Sequence, residues 1–357
     1  MEIEIKPIPA DQKKTPPEDF VFGSTFSNHM FTQKYHPERG WYDAMIEPYR
    51  MLTLDPSTIV LHYGQEIFEG TKAYRRPDGN INLFRPWENA KRFNTSATRM
   101  SMANVDVEDH VQAIVELVTM DHEWVPSKEG STLYIRPTMI ATDSALGMRA
   151  SKTYLHYIIV GPVGNYYAGG LAPVSVFISD EFRRAAKGGT GAAKTGGNYA
   201  ASLIAEEAAK KEGFTQVLWL DSQHGKFVEE VGTMNIMFVY EGKKIVTPKL
   251  TGSILAGITR DSLLTLAPDL GYEVEETMID VNEILADVAS GKITEAFGCG
   301  TAVVIAPVGS FGYKGEIHPV GTGEVGTVAR QLYDELTAIQ FGHKPDPYGW
   351  THCIRVD

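Results

Sequence analysis

Between residues 164 and 175 the chain reads "GNYYAGGLAPVS", with four glycines and prolines among twelve residues. Neither a helix interior nor a central strand accommodates that density, because glycine adds backbone entropy and proline removes a hydrogen-bond donor. The stretch therefore divides the chain. It predicts a smaller N-terminal α/β domain over 1–164, a connection over 165–174 and a larger C-terminal domain over 175–357. Ahead of the break, "STIVLHY" (57–63), "INLFRP" (81–86), "TLYIRPT" (132–138) and "YLHYIIVGPV" (154–163) read as strands. Ala90, Phe93, Ala97 and Met100 recur at helical spacing between Trp87 and Met102, with Lys91, Arg92 and Arg99 around the stripe, which predicts an amphipathic helix. The polar, proline-containing first 20 residues are expected along the surface, the core beginning near Val21.

Beyond the break, strands are expected near 174–179, 216–221, 234–240 and 294–308, and helices near 198–212, 258–270, 281–290 and 323–341. The mixture lacks the strict strand–helix alternation of a doubly wound sheet, so the class is α+β or mixed α/β. Of the 357 residues, 43% are hydrophobic, enough for a folded core. A net charge of −12 opposes nucleic-acid binding, which depends on clustered Lys and Arg. The longest apolar runs fall short of the roughly 20 residues of a membrane helix. "MEIEIKPIPA" lacks the basic start and apolar stretch of a signal peptide, so a cytoplasmic location is expected. Two cysteines, Cys299 and Cys353, make no disulfide framework and have no partner at metal-ligand spacing. His110, His122 and His156 are read as structural, and no metal site is expected.

The segment "KGGTGAAKTGGNY" (187–199) surrounds Lys194 with five glycines. A phosphate-cradling P-loop needs glycine immediately before its lysine, and that position is Ala193. It must also run directly from a strand into a helix, whereas "DEFRRAA" intervenes after "VSVFIS", and Gly196 and Gly197 disfavour an immediate helix. "VLWLD" (217–221), a hydrophobic strand ending in an aspartate that could bind Mg²⁺, is the one point for a nucleotide hydrolase. The alternative reading has the glycines admit a flat ligand close to the backbone. Lys194, desolvated near other cations, then becomes a nucleophile toward an aldehyde. That chemistry suits pyridoxal phosphate, which also requires a cationic and amide-lined phosphate seat, a carboxylate for the pyridine nitrogen and a hydroxyl near the ring oxygen.

"KTGGNYAASL", "VEEVGTMNIMFV" (228–239), "GSILAGITRDSLL" (252–264) and "GCGTAVVIAPV" (298–308) follow in that order. They are preceded by "FGSTFSNHM" (22–30), "HYGQEIFEGTKAY" (62–74), "LFRPWENAKRF" (83–93) and "YIRP" (134–137). Together these motifs resemble the branched-chain aminotransferases of the fold-type IV pyridoxal-phosphate enzymes, over nearly the whole chain. The resemblance implies a two-domain fold like that of the D-amino-acid aminotransferases, with a barrel-like sheet in the C-terminal domain.

It implies that Lys194 carries pyridoxal 5'-phosphate and shuttles the reacting proton, that Glu230 pairs with the pyridine nitrogen, and that Tyr199 bonds the ring oxygen. Glu229, on the opposite face of the same strand, reads as a solvated neighbour. Ile258 and Thr259, at the start of a helix where free amides favour an anion, would hold the phosphate with Arg92 and Thr301. Chemistry alone would equally admit Arg85 or Arg99, and the motif match selects Arg92. Phe26, Tyr63, Phe68, Tyr166 and Thr233 match the substrate pocket. Thr301 and Ala302 would receive the α-carboxylate, and Arg136 the distal carboxylate of glutamate or 2-oxoglutarate, its other reading being an interdomain salt bridge. The resemblance further implies a homodimer in which "DSALGM" (143–148) reaches the neighbouring site. The Cys-x-x-Cys pair of some animal members is missing, and Cys299 alone reads as a small packed residue.

The expected reaction is transfer of the amino group of L-leucine, L-isoleucine or L-valine to 2-oxoglutarate. A D-amino-acid aminotransferase and an aminodeoxychorismate lyase share the fold, and a nucleotide hydrolase and a non-catalytic binding protein are the rivals from other classes.

Overall fold

The computed structural model describes residues 1–164 and 171–356. They form two compact units. The first holds the chain to residue 164, Ala193–Gly196 and the stretch from Ala338 onward, and the second holds 171–192 and Gly197–Thr337. The first unit thus takes in the Lys194 segment and the C-terminus, both assigned to the second domain by the sequence reading. With these additions it is the longer of the two, where the sequence reading makes the N-terminal domain the smaller.

The first unit contains β1 (Glu4–Ile5), β2 (His29–His36), β3 (Gly40–Pro48), α1 (Ile59–Tyr63), β4 (Glu66–Phe68), β5 (Thr71–Arg75), β6 (Ile81–Phe84), α2 (Pro86–Arg99), α3 (Val107–Met120), β7 (Thr132–Ala141) and β8 (Tyr154–Val163). Then come β9 (Val174–Ile178), α4 (Gly196–Ala200), α5 (Leu203–Lys211), β10 (Gln216–Leu220), β11 (Val228–Val231), β12 (Met234–Tyr240), β13 (Lys244–Pro248), α6 (Ile258–Asp269) and β14 (Glu273–Thr277). The chain ends with α7 (Val281–Ala289), β15 (Ile293–Gly300), β16 (Val304–Tyr313), β17 (Glu316–Pro319), α8 (Thr327–Gln340) and β18 (Thr351–Ile354), the last a strand of the first unit's sheet.

In the first unit the strand order is β1-β3-β2-β8-β7-β5-β6-β18, with β4 also on β7. The amphipathic helix forms as α2, with Pro86 in its first turn and Ala90, Phe93 and Ala97 buried. Asp106 caps α3 by accepting from the amides of Glu108 and Asp109 at 2.9 and 3.1 Å. "STIVLHY" forms α1 rather than a strand. Gly64 closes that turn in the left-handed region (φ 59°), its amide bonding the Val60 carbonyl. A short apolar run fits either period, and here the cap decides. The first residues also differ from expectation: β1 pairs with β3, Met1 and Ile3 pack on the core, and Val21 is 73% exposed.

In the second unit β11, β10, β9, β16, β15 and β12 pair in sequence, and β11 pairs with β12 as well, so six strands close into a barrel. The mixed α/β class with a barrel-like sheet in the second half agrees with the sequence reading. The core takes alternate residues from β9 (Val174, Val176, Ile178), β10 (Leu218, Leu220) and β16 (Ala306, Val308). It takes Ile236 and Phe238 from β12 and the apolar stripe of α7 (Val281, Ile284, Leu285, Val288). The run near 294–308, read as one strand, is the β15–β16 hairpin with its turn at 301–303.

Candidate active site

Lys194 lies in a segment bonded to β4 and α2 of its own unit. Its amide donates to Ser96 Oγ at 2.9 Å, and its carbonyl accepts from the Phe68 amide at 3.0 Å. Thr195 Oγ1 donates to the Glu66 carbonyl at 2.7 Å, and the Gly196 amide donates to the Glu66 carboxylate. A Cβ on Gly196 would overlap that carboxylate, so this glycine serves close packing. The helix that Gly196 and Gly197 disfavour does form, as α4. Tertiary bonds override propensity: Thr190 Oγ1 donates to Asn198 Oδ1 (2.7 Å) and Asn198 Nδ2 to the Thr190 carbonyl (2.9 Å).

The Lys194 ammonium sits 4.9 Å from the centre of the Phe68 ring. Glu69, fully buried, receives Arg92 on both oxygens at 2.7 and 2.9 Å and Asn89 at 2.9 Å. Burial pushes the Glu69 carboxyl up, but the charges of Arg92 and Lys194 outweigh it and hold the group below its ordinary value. Of the three candidate arginines, Arg92 alone joins this cluster. Arg85 sits over the Trp350 ring and Arg99 is exposed.

On β7, the Arg136 guanidinium lies 4.7 Å from the Phe68 ring centre and donates to Tyr134 Oη at 3.0 Å, while its buried Nε has no hydrogen-bond partner among the described residues. Phe68, Arg136 and Lys194 are thus neighbours. Phe26 stacks on Tyr49 at 5.3 Å, in a segment seated where Gly161 of β8 leaves room for the Thr25 carbonyl. Tyr63, 44% exposed, donates to the Leu146 carbonyl within the 143–148 segment. The sequence reading misses Glu66, Glu69, Tyr134 and Lys72. Lys72, in register with Tyr134, is buried, which pushes its ammonium down to about 7. The local sequence offers no signal for these surroundings, since each is set by residues distant along the chain: Arg92 and Asn89 for Glu69, Gly196 for Glu66, and the β5–β7 register for Lys72 and Tyr134.

In the second unit, β11 buries both of its glutamates. Glu230 receives the Arg184 fork, Nη2 to Oε1 at 3.1 Å and Nε to Oε2 at 3.0 Å, and the Leu255 amide at 2.7 Å. Glu229 is not the solvated neighbour expected. It is buried as well, and accepts from Ser253 Oγ. Burial, opposed by that bond and reinforced by the charge of Glu230, pushes its carboxyl up. Gly191 packs directly on this loop, since a Cβ there would overlap the Ser253 carbonyl and Ala185.

Helix α6 begins at Ile258 after Gly257, which supplies no side-chain cap and whose missing Cβ makes room for the Asn235 amide. Thr259 is buried in its first turn. Thr301 and Ala302 occupy the β15–β16 turn, half-buried, followed by Val304 at φ 65°. A β-branched residue in the left-handed region costs about 1–3 kcal/mol, strain of a kind that collects at ligand clamps. Tyr199 is half-buried in α4, Thr233 is exposed in the β11–β12 turn, and Tyr166 lies outside the described residues. Asp221 caps the turn after β10. Burial opposes its ionisation, yet the amides of Phe227, His224 and Lys226 hold its carboxyl at about 2, an assignment that accounts for "VLWLD" without a metal. Cys299 is buried, which pushes its thiol up to about 12.

The amino-transferase class IV family matches residues 66–311. Over 334 residues the chain is 51% identical to a probable branched-chain-amino-acid aminotransferase of Streptomyces coelicolor, covering 93% of this chain and 92% of that one. It is 46% identical over 349 residues to branched-chain-amino-acid aminotransferase 2 of Bacillus subtilis, covering 98% and 96%. The structure matches that of the branched-chain amino acid aminotransferase of Thermobaculum terrenum in its PLP-form with a TM-score of 0.74 at 25% identity, covering 91% and 98%. The family match begins at the first residue of β4, the strand that holds the Lys194 segment, and ends within β16 of the barrel. Fold, lysine and likeness along the chain meet in one assignment: this chain belongs to the class IV aminotransferases.

Proposed function

We propose that the protein is a branched-chain amino acid aminotransferase, moving the amino group of L-leucine, L-isoleucine or L-valine reversibly to 2-oxoglutarate by a ping-pong reaction that uses pyridoxal 5'-phosphate. The observation that carries this reading is 46–51% identity, over nine-tenths or more of the chain, to relatives named for that activity. Neither a D-amino-acid aminotransferase nor an aminodeoxychorismate lyase has comparable support.

The residues fit the cofactor chemically. An anionic phosphate suits the amides of Ile258 and Thr259 at an α6 start that has no side-chain cap, together with Thr301 and the Arg92 guanidinium. A protonated ring nitrogen suits the buried Glu230 carboxylate, and the ring oxygen suits the Tyr199 hydroxyl. When bound, pyridoxal phosphate supplies an aldehyde that takes up amines and a conjugated ring that accepts the electron pair of a substrate α-carbon. Lys194 holds the cofactor and afterwards moves the proton to and from that carbon as general base and acid. By the resemblance, Phe26, Tyr63, Phe68, Tyr166 and Thr233 would receive the branched side chain. Thr301 and Ala302 hold the α-carboxylate with their amides. Arg136, whose Nε has no hydrogen-bond partner among the described residues, takes the distal carboxylate of glutamate. A homodimer contributing residues 143–148 and a cytoplasmic location complete the reading. No helix among the described residues is long and apolar enough to cross a membrane.

The test is glutamate formation by the purified holoprotein from 2-oxoglutarate and L-leucine, with D-alanine as the competing donor. Activity with L-leucine and none with D-alanine is expected. The Lys194→Ala variant should lose at least about 10³-fold in rate, and borohydride reduction of the wild type should leave a pyridoxyl label at Lys194. Wild-type turnover by the variant, or a label elsewhere, would overturn the assignment.

A further inference from the structure

We propose that Arg184 is a positioning residue for the cofactor: one guanidinium orients the Glu230 carboxylate and ties it to the glycine-rich turn ahead of Lys194 and to the loop that enters α6. The inference rests on the reading of Glu230 as the partner of the pyridine nitrogen.

Arginine carries five N–H groups in a rigid planar fork. Here the fork faces three separate segments of the second unit. Nε and Nη2 engage both oxygens of Glu230 at 3.0 and 3.1 Å. Nη2 and Nη1 reach the Gly191 carbonyl at 3.2 and 3.5 Å, and Nη1 also reaches the Ser253 carbonyl at 3.3 Å. The side chains are 10% and 4% exposed, so the pair is shielded from solvent and the geometry is set by the protein. Gly191 is packed against the same Ser253 carbonyl so tightly that no Cβ fits. The Leu255 amide, two residues along that loop, bonds the Glu230 oxygen that Nη2 also holds.

The consequence is mechanical and electrostatic together. Glu230 cannot swing without breaking two charge-assisted bonds, and neither loop can shift without straining the same fork. Lysine could supply the charge but not the geometry, since an ammonium with three N–H groups cannot meet two carboxylate oxygens and two carbonyls at once. The neighbouring Arg183 is not equivalent. It bonds the carbonyls of Asp221 and Phe182 at 3.2 and 3.0 Å.

The experiment compares wild type, Arg184→Lys, Arg184→Gln and Glu230→Gln, with the Arg184→Gln/Glu230→Gln double variant. Apoprotein is titrated with pyridoxal 5'-phosphate, and the pH midpoint of the bound cofactor's visible absorption is followed beside the apoprotein melting temperature. Arg184→Lys and Arg184→Gln should each weaken cofactor binding about tenfold or more and displace the absorption midpoint. In the Glu230→Gln background, Arg184→Gln should add less than about threefold, because the group it orients is already neutral. Should Arg184→Gln fail to fold, Arg184→Lys decides alone. Wild-type cofactor affinity and absorption midpoint in Arg184→Lys, or full additivity in the double variant, would overturn the proposal and reduce Arg184 to a packing role. The reading of Glu230 fails separately, if Glu230→Gln by itself leaves the absorption midpoint where wild type has it.

Discussion

Each unit buries a carboxylate under an arginine fork, Glu69 with Arg92 in the first and Glu230 with Arg184 in the second. The chemistry is the same and the surroundings are opposite. Glu69 feels two cations, Arg92 and Lys194, so its cluster has more positive charge than negative. Glu230 lies close enough to a second buried acid, Glu229, that each feels the other's charge, so its cluster has more acids than bases. The residual sign is what a ligand reads. Excess positive charge suits an anion such as a phosphate, and an acid-rich cluster suits a protonated ring nitrogen. Under the proposed function, one ion-pair motif would serve two opposite tasks, set by its neighbours.

The largest effect expected from breaking this symmetry is at Glu69. Glu69→Ala leaves Arg92 buried without its counter-charge, and loss of one partner of a buried pair costs about 3–5 kcal/mol. Denaturant unfolding of the apoprotein measures it. A change below about 1 kcal/mol would mean that solvent reaches Arg92 and that the two clusters differ in burial rather than in charge. Replacing both partners, as in Glu69→Leu with Arg92→Met, should restore most of the stability while weakening cofactor binding, which separates the fold's need for the pair from the ligand's.

Next in size is an acid sensitivity confined to the first unit. The His110 and His156 rings stack at 5.1 Å, both buried, and among the described residues neither ring nitrogen of His110 has a hydrogen-bond partner. Burial pushes His110 down to about 4 and His156 well below its ordinary value. Because the folded values lie below the unfolded one near 6.5, the stability owed to the neutral rings is complete above about pH 6.5 and is lost as pH falls towards 4. At pH 5 the loss for His110 is about 2 kcal/mol by the same linkage. His110→Phe should flatten the drop in melting temperature between pH 7 and pH 5, and an unchanged drop would place the acid sensitivity elsewhere.

What the sequence can reveal divides along the same line. Lys194 is legible because five glycines around one lysine are rare and physically demanding, and the α2 stripe is legible because its apolar residues are local in sequence. Barrel closure is not, since it depends on β11, only four residues long and half acidic ("VEEV"), pairing with both of its sequence neighbours, and on the long-range pairings β9–β16 and β12–β15. Glu229 is misread for a related reason. The register shift of β11 against β10 breaks the period-2 alternation, with Val228 and Val231 both in the core, and the sequence cannot say that the loop around Ser253 covers Glu229. Arg184 escapes the sequence reading because "FRRAA" holds two identical side chains, and only the packing of three segments tells them apart. The strand β18 carries no signal until its partner β6 is known.

The smallest expected effect sharpens the comparison most, because its sign is opposite. Burial and the charge of Glu230 raise the Glu229 carboxyl above its ordinary value, against the Ser253 bond. A folded value above the unfolded one means that the protonated form is the one the fold prefers. Its stabilising contribution is present below about pH 4.5 and is lost as pH rises through the folded value. Glu229→Gln keeps the shape and hydrogen-bonding capacity of the neutral acid while removing its titration, so stability at pH 8 should stay within about 1 kcal/mol of wild type or rise. The difference between melting temperatures at pH 5 and pH 8 should narrow. The His110 and Glu229 substitutions would then act on opposite limbs of one stability–pH curve, each from its own unit. If Glu229→Gln instead destabilises the protein at pH 8 by more than that margin, Glu229 is needed as an anion. The second cluster would then hold two full negative charges under one guanidinium, and the charge arithmetic that distinguishes the two clusters would have to be redrawn around Arg184.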